Sequence, residues 1–198
     1  MNALKNSIRP ALSVFLLLTA ITGIAYPLLV TGISQVAFPH QANGSIVTVD
    51  GKALGSTLIG QSFSAPKYFW SRPSATGPMA NNGVASGGSN LGANNPALLD
   101  AVKERIAALR AADPGNAQQV PVDLVTASGS GLDPEISLAA ALYQAPRIAR
   151  ERGLAPEAVQ ALVERHALRP WLGVVGEPRV NVLALNLELD GKKPPPAR

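Results

Sequence analysis

Residues Ala11 to Ile33 read ALSVFLLLTAITGIAYPLLVTGI, 23 residues without a charge. As an α-helix rising 1.5 Å per residue they extend about 35 Å, more than the ~30 Å hydrocarbon core of a bilayer. The charge-free window is wider still, because no Asp, Glu, Lys or Arg lies between Arg9 and Asp50. Gly23, Pro27 and Gly32 fall inside it, and such residues are commoner in membrane helices than in soluble ones. Pro27 has no N–H to give, so a kink or a helix end is expected there. The rival reading is a cleaved signal peptide. Lys5 and Arg9 would be its basic region, Leu12 to Thr22 its apolar region, and Gly23-Ile24-Ala25 its small-residue cleavage site. The apolar run continues through Tyr26-Pro-Leu-Leu-Val30 without a polar break, which favours a retained anchor.

Both readings have the same topology. Lys5 and Arg9 precede the helix and the next basic residue is Lys52, so positive charge keeps the N-terminus cytoplasmic and sends residues 40–198 out. The chain therefore reads as a cytoplasmic N-terminus (1–10), a transmembrane helix (11–33), an exported α+β domain (40–190) and a disordered tail (191–198). In a bacterium this is a single-pass inner-membrane protein with a periplasmic or extracellular C-terminal domain.

Composition narrows the classes. With 198 residues there is room for one domain beside the membrane segment. Charged residues are 15%, below the roughly 25% of an average soluble protein, and 18 Gly with 17 Pro predict many turns. The net charge is +4, but aromatics are only 5% and no basic cluster exceeds two residues, which argues against nucleic acid. The absence of cysteine excludes disulfides, thiolate metal sites and a cysteine nucleophile.

In the exported part, Ile46-Val-Thr-Val49, Asp50-Gly51 and Lys52-Ala-Leu54 read as a β-hairpin. Residues 73–99 carry no charge, five Gly and five Asn, and read as a long functional or disordered loop. Asn95-Pro96 opens a helix in which Leu98, Leu99, Val102, Ile106 and Leu109 follow helical spacing, closed by Asp113-Pro-Gly115. Val120 to Thr126 is expected to be a strand. Asp133-Pro134-Glu135 is expected to start a helix that bends or stops near Pro146, with a second piece reaching Arg152-Gly153. Another helix runs from Pro156 to His166 with Val159, Leu162 and Val163 inward. Val180 to Leu189 alternates Leu183, Leu185, Leu187 and Leu189 against Asn186 and Glu188, and predicts a final strand.

Catalytic motifs are scarce. Ser64-Ala65-Pro66-Lys67 matches the S-x-x-K of penicillin-binding enzymes, but the companion motifs are missing and Pro66 suits a helical turn badly. A membrane-anchored serine hydrolase built on Ser64 and Lys67 is one alternative reading. A periplasmic module that binds an anion on Gly-Ser turns is another. His40 and His166 stand alone and support neither a triad nor a zinc site. His40 is placed at the membrane interface and His166 near a helix C-terminus. No G-x-x-x-x-G-K loop is present.

Six segments, in order, carry a resemblance. They are GSTLIGQSF (55–63), YFWSRPSA (68–75), SGGSNLG (86–92), PVDLVTASGSGLDPEIS (121–137), YQAPRIARERG (143–153) and GEPRVNVLALNLELD (176–190). With the single N-terminal membrane helix, they resemble the C subunit of Kdp-type potassium-transporting ATPases over almost the whole chain. The family often has His where this chain has Glu135, so no role resting on an imidazole there carries over. The resemblance implies a non-catalytic subunit of an ATP-driven, high-affinity potassium importer. Its implied partners are a channel-like potassium-translocating subunit, a P-type ATPase subunit phosphorylated on Asp, a small single-helix subunit and membrane lipid. It implies roles in assembly or as a catalytic chaperone raising ATP affinity, which would make Ser128, Gly129, Ser130, Gly131 and Gln144 candidate nucleotide- or partner-binding residues. Ser86, Gly87, Gly88, Ser89 and Asn90 are candidates for a partner-docking loop. No cofactor of its own is expected: ATP would act through the ATPase subunit, and potassium is the transported ion. Because ATP is cytoplasmic and these residues are read as exported, any effect on nucleotide affinity must be indirect.

Overall fold

The charge-free N-terminal stretch is helical throughout in the computed structural model, which describes residues 2–170, 173 and 175–193. Helix α1 (Asn2–Ala20) passes through a π-helical turn (Ile21–Ala25) into α2 (Tyr26–Ala37), and a single turn, α3 (Pro39–Ala42), follows. The candidate span runs from Ser7 to Ala37, 31 residues, and its most apolar 18-residue stretch has a mean hydropathy of 2.1 and no buried residue. The helix continues on both sides of residues 11–33, which leaves length for tilt in a bilayer. Pro27 neither ends the helix nor lies at a break. Instead the backbone widens just before it, and the Tyr26 N–H reaches back five residues to the Ile21 carbonyl. A wider turn suits this place because Pro27 has no N–H for the carbonyl four residues earlier and its ring crowds that carbonyl. The Thr22 hydroxyl donates to the Leu18 carbonyl at 2.7 Å and Ser13 to the Arg9 carbonyl at 2.9 Å, so these two hydroxyls are satisfied within the helix.

The chain divides into two compact units, Met1–Ser45 and Ile46–Arg198. The second opens with β1 (Ile46–Val49) and β2 (Lys52–Ser56), paired antiparallel with a register shift between Val47 and Thr48. Asp50 and Gly51 both have positive φ, 51° and 75°, as the turn type of a two-residue hairpin requires. Helix α4 (Pro96–Ala112) begins where Asn95 accepts the Ala97 N–H, and it ends at Asp113. Leu109 is buried, but Leu99 is 49% exposed although it follows the apolar spacing. A second antiparallel pair joins β3 (Glu135–Ser137) to β4 (Arg179–Asn181), with Ile136 opposite Val180. Around it lie α5 (Leu138–Arg152), α6 (Pro156–His166) and α7 (Val182–Leu189). The core gathers Phe69, Ile136, Ile148, Val159, Val163, Val180 and Leu185, all at most 1% exposed. The architecture is α+β, with one N-terminal apolar helix of membrane-spanning length.

Four local expectations change. Val120–Thr126 is not a strand: it contains a 3₁₀ turn at Val122–Leu124, held where Asp123 accepts the Ser137 N–H and hydroxyl at 2.8 and 3.1 Å. Asp133-Pro134-Glu135 does not open a helix. Asp133 accepts the Glu135 N–H in a local turn, the next three residues pair with β4, and α5 begins later with Ser137 as its cap. The same residue types favour turns and helix starts alike, and burial of Ile136 against Val180 selects the strand. Helix α5 does not stop at Pro146 but continues as one helix to Arg152 and closes on Gly153 at φ 63°. The buried row of Ala140, Ala141, Ala145, Ile148 and Ala149 holds it against the core through the lost hydrogen bond.

The last strand is only three residues long, and Val182 to Leu189 is helical. Leu and Ala are good helix formers, and Asn181 caps the helix by accepting the Ala184 N–H at 3.0 Å. A helix buried on nearly every side shows no amphipathic period, which is why its leucines read as an alternating strand. Gly191 at φ 69° closes it, with the Gly191 and Lys192 N–H groups donating to Glu188 and Leu187 carbonyls. The first residues of the expected tail are thus part of a helix end, and 194–198 lie outside the described residues.

Candidate functional site

The segment Tyr68–Ser74 crosses the core of the second unit without a strand beside it. Its backbone polar groups are served by side chains. Asn186 on α7 accepts the Phe69 N–H at 2.9 Å and donates to the Phe69 carbonyl at 3.0 Å. Gln144 on α5 does the same for Trp70, at 2.8 and 3.1 Å. Two amides thus stand in for a neighbouring strand at consecutive residues. Arg147 lies one helical turn from Gln144, donates to its Oε1 at 2.7 Å, and also donates to the Tyr68 and Pro66 carbonyls. Its guanidinium lies 4.8 Å from the Trp70 ring centroid. Gln144 and Arg147 are 1% and 2% exposed. Burial pushes the Arg147 guanidinium down to about 10, and it stays protonated at neutral pH.

The same segment continues into the loop that carries the other candidates. The Ser128 N–H donates to the Pro73 carbonyl at 3.2 Å, and the Gly87 N–H and Ser86 hydroxyl donate to the Ser130 carbonyl at 2.8 and 3.0 Å. Ser74 donates to the Gly131 carbonyl at 2.7 Å. A Cβ on Gly131 would lie 2.7 Å from the Gly87 carbonyl oxygen and 2.5 Å from the Thr76 methyl, and one on Gly88 would lie 3.1 Å from the Gly129 oxygen. So the turn 128–131 and the turn around 86–88 pack against each other, backbone to backbone, and only glycine allows that approach. Ser89 and Asn90 stay exposed.

The charge-free loop has its own scaffold. Ser74 Oγ accepts the Asn81 N–H at 2.9 Å, and Thr76 Oγ1 accepts the Asn82 N–H at 3.0 Å and donates to the Met79 carbonyl at 2.8 Å. The Asn82 amide donates to the Gly77 carbonyl at 2.8 Å. This ordered frame leaves Met79 66% and Val84 97% exposed.

Of the candidates, Ser128–Gly131 and Ser86–Gly88 come together, whereas Gln144 is buried beneath the segment they hang from. Arg147 and Asn186 escaped the sequence reading. Asn186 is expected on the strand face opposite the leucines, and a lone amide inside VLALNLEL is the signal that could have placed it inside. Ser64 and Lys67 share no hydrogen bond among the described residues, and Lys67 Nζ lies 5.3 Å from the Tyr68 ring centroid. His40 is exposed on α3. His166, in the last turn of α6, meets Glu188 of α7 at 2.6 Å, with Arg165 2.7 Å from the other carboxylate oxygen. No group of three His, Asp or Glu side chains suited to a metal occurs among the described residues.

Known proteins extend the likeness seen in the six segments. A relative from Methylibium petroleiphilum, a potassium-transporting ATPase KdpC subunit, is 64% identical over 96% of this chain and 100% of its own length. Those of Polaromonas naphthalenivorans and Variovorax paradoxus, with the same name, are 65% and 66% identical, over 96% and 94% of this chain and 97% of theirs. The sequence profile described as KdpC, K+-transporting ATPase, c chain, matches residues 8–191, from the start of the apolar span to the glycine that closes α7. The chain belongs to the KdpC family, the c chain of the potassium-transporting ATPase.

Proposed function

We propose that this accessory subunit is anchored by its N-terminal helix with the second unit on the outer face of the membrane, where that unit caps the potassium-entry side of the channel-like subunit. The docking surface is the 73–99 loop backed by the 128–131 turn. One observation carries the reading: a charge-free loop, braced by its own hydroxyls and amides and pinned to a second Gly-Ser turn, holds two apolar side chains in solvent. A rigid surface of that kind loses little conformational entropy on docking. The P-type ATPase subunit, the small single-helix subunit and lipid would be met through the anchor helix. A channel filter coordinates potassium with backbone carbonyls, so the cap needs no cation site of its own. Gln144 spends its amide on Trp70 and Arg147, so it supports assembly and any change in ATP affinity indirectly. The chain itself performs no catalysis in this reading.

The test is Met79→Asp with Val84→Asp in the whole complex. Both side chains are exposed, so the chain itself is expected to fold. Copurification with the other subunits should fall at least severalfold, or potassium-stimulated ATPase activity should require more potassium. Normal assembly with a normal potassium response would overturn the docking assignment.

A further inference from the structure

A cleft of about 230 Å³ lies between α4, the Trp70–Ser74 segment and the 3₁₀ turn. Its apolar wall includes Phe63, Trp70, Leu109 and Leu124, and its charged groups are Arg72 and Arg105 with no acid among the lining residues. Arg72 pairs through one terminal nitrogen with Asp133 at 3.0 Å, yet its Nε–H is buried with no acceptor. Arg105 donates to the Val125 carbonyl at 2.8 Å and has no carboxylate partner among the described residues. A guanidinium has five N–H donors and no acceptor. Both guanidiniums keep donors beside an apolar wall, and Arg105, without a carboxylate partner, lacks only a ligand oxygen bearing negative charge. A planar carboxylate matches the guanidinium fork, and a ring or short hydrocarbon matches the wall.

We propose that this cleft is a binding site for a small organic carboxylate with an apolar body, with Arg105 as its principal anchor and Trp70 and Leu109 against its hydrocarbon face. The site borders the docking loop at Pro73 and Ser74, but its anchor, Arg105, and its apolar wall lie outside that loop, so it does not rest on that assignment.

The probe is phenylacetate, titrated onto the full chain in lipid nanodiscs and followed by Trp70 fluorescence in a Trp171→Phe background. A saturable change is expected. Phenylethanol, which keeps the ring but lacks the charge, should need at least about tenfold more ligand, and inorganic phosphate should not substitute. Arg105→Gln should weaken phenylacetate binding at least about tenfold in a chain that still unfolds cooperatively, although loss of the bond to the Val125 carbonyl lowers the midpoint. A second variant, Ala108→Phe, fills the cleft from the exposed face of α4 and should abolish the change. The absence of saturation, or equal binding by phenylethanol or by the Arg105→Gln chain, overturns the proposal. So does binding to the lone chain that vanishes in the assembled pump, because a neighbouring subunit would then be the occupant.

Discussion

At the residue scale, Gln144 and Asn186 hold two consecutive backbone residues in place of a strand. Removing Asn186 strands the buried N–H and carbonyl of Phe69 together, and removing Gln144 strands those of half-buried Trp70. A hydrogen bond is worth about 1 kcal/mol net, and an unsatisfied buried group costs about 1–3 kcal/mol. Gln144→Ala and Asn186→Ala should therefore each destabilise by about 2–4 kcal/mol, read as a lower denaturation midpoint with an unchanged slope. Gln144 carries the larger consequence, because its Oε1 also takes an Arg147 N–H and the substitution leaves that buried guanidinium short of an acceptor. In the assembled pump, Gln144→Ala should lower the yield of complex. A complex that assembles normally and shows only a changed ATP affinity would contradict a structural clamp. The family resemblance makes Gln144 a candidate for contact with a nucleotide or partner. Its backbone partners are the N–H and carbonyl of Trp70, 74 residues away in the chain, and no local pattern announces them. Arg147 was invisible for the same reason, since a buried arginine without a carboxylate breaks the usual rule that charge stays outside.

At the element scale, α6 and α7 are fastened where Glu188 meets both His166 and Arg165. The His166 hydrogen bond, then the one from Arg165, holds the Glu188 carboxyl below its ordinary range. Asp190, next to the end of α7, is also lowered: burial opposes this, and the hydrogen bonds from Arg152 and Tyr68 outweigh it. A carboxylate whose folded pKa is depressed adds stability that is complete above its unfolded value, near 4, and is lost as pH falls through the folded one. The thermal midpoint of the chain should therefore drop on acidification from about pH 5 to pH 3. Half-exposed ion pairs are worth about 0–1 kcal/mol, so Glu188→Gln should remove a few degrees of that acid-dependent drop. An identical pH profile for Glu188→Gln would show that the fastening carries no charge-dependent stability. Elements with strong local signals were legible: the Asp50-Gly51 hairpin, the Asn95 cap and the Pro156 start all stand where the residues predict. Those decided by tertiary contact were not. The pairing of β3 with β4 joins residues 44 apart, and α7 is apolar all round, so neither leaves a period to read.

At the scale of the whole molecule, the decisive property is sidedness, because the proposed cap and any indirect route to the ATPase both require the second unit to face outward. Lys5 and Arg9 before the apolar span, with no further basic residue until Lys52, predict a cytoplasmic N-terminus. The chain contains no cysteine, so single substitutions report accessibility against a silent background. Asn2→Cys samples the start of the chain. Gln160→Cys samples an exposed position on α6, away from the 73–99 loop, and Val84→Cys samples the proposed docking surface. In spheroplasts treated with a membrane-impermeant maleimide, Gln160→Cys should label at once and Asn2→Cys only after the membrane is opened. The reverse pattern would place the second unit with the nucleotide and remove the geometric reason for excluding direct contact with ATP. Val84→Cys separates the cap from a merely exported domain. It should label in spheroplasts that make this chain alone and be shielded when the partner subunits are made with it, whereas Gln160→Cys should label in both. Equal labelling of Val84→Cys in the two strains would leave the outward topology standing and move the docking surface elsewhere on the second unit.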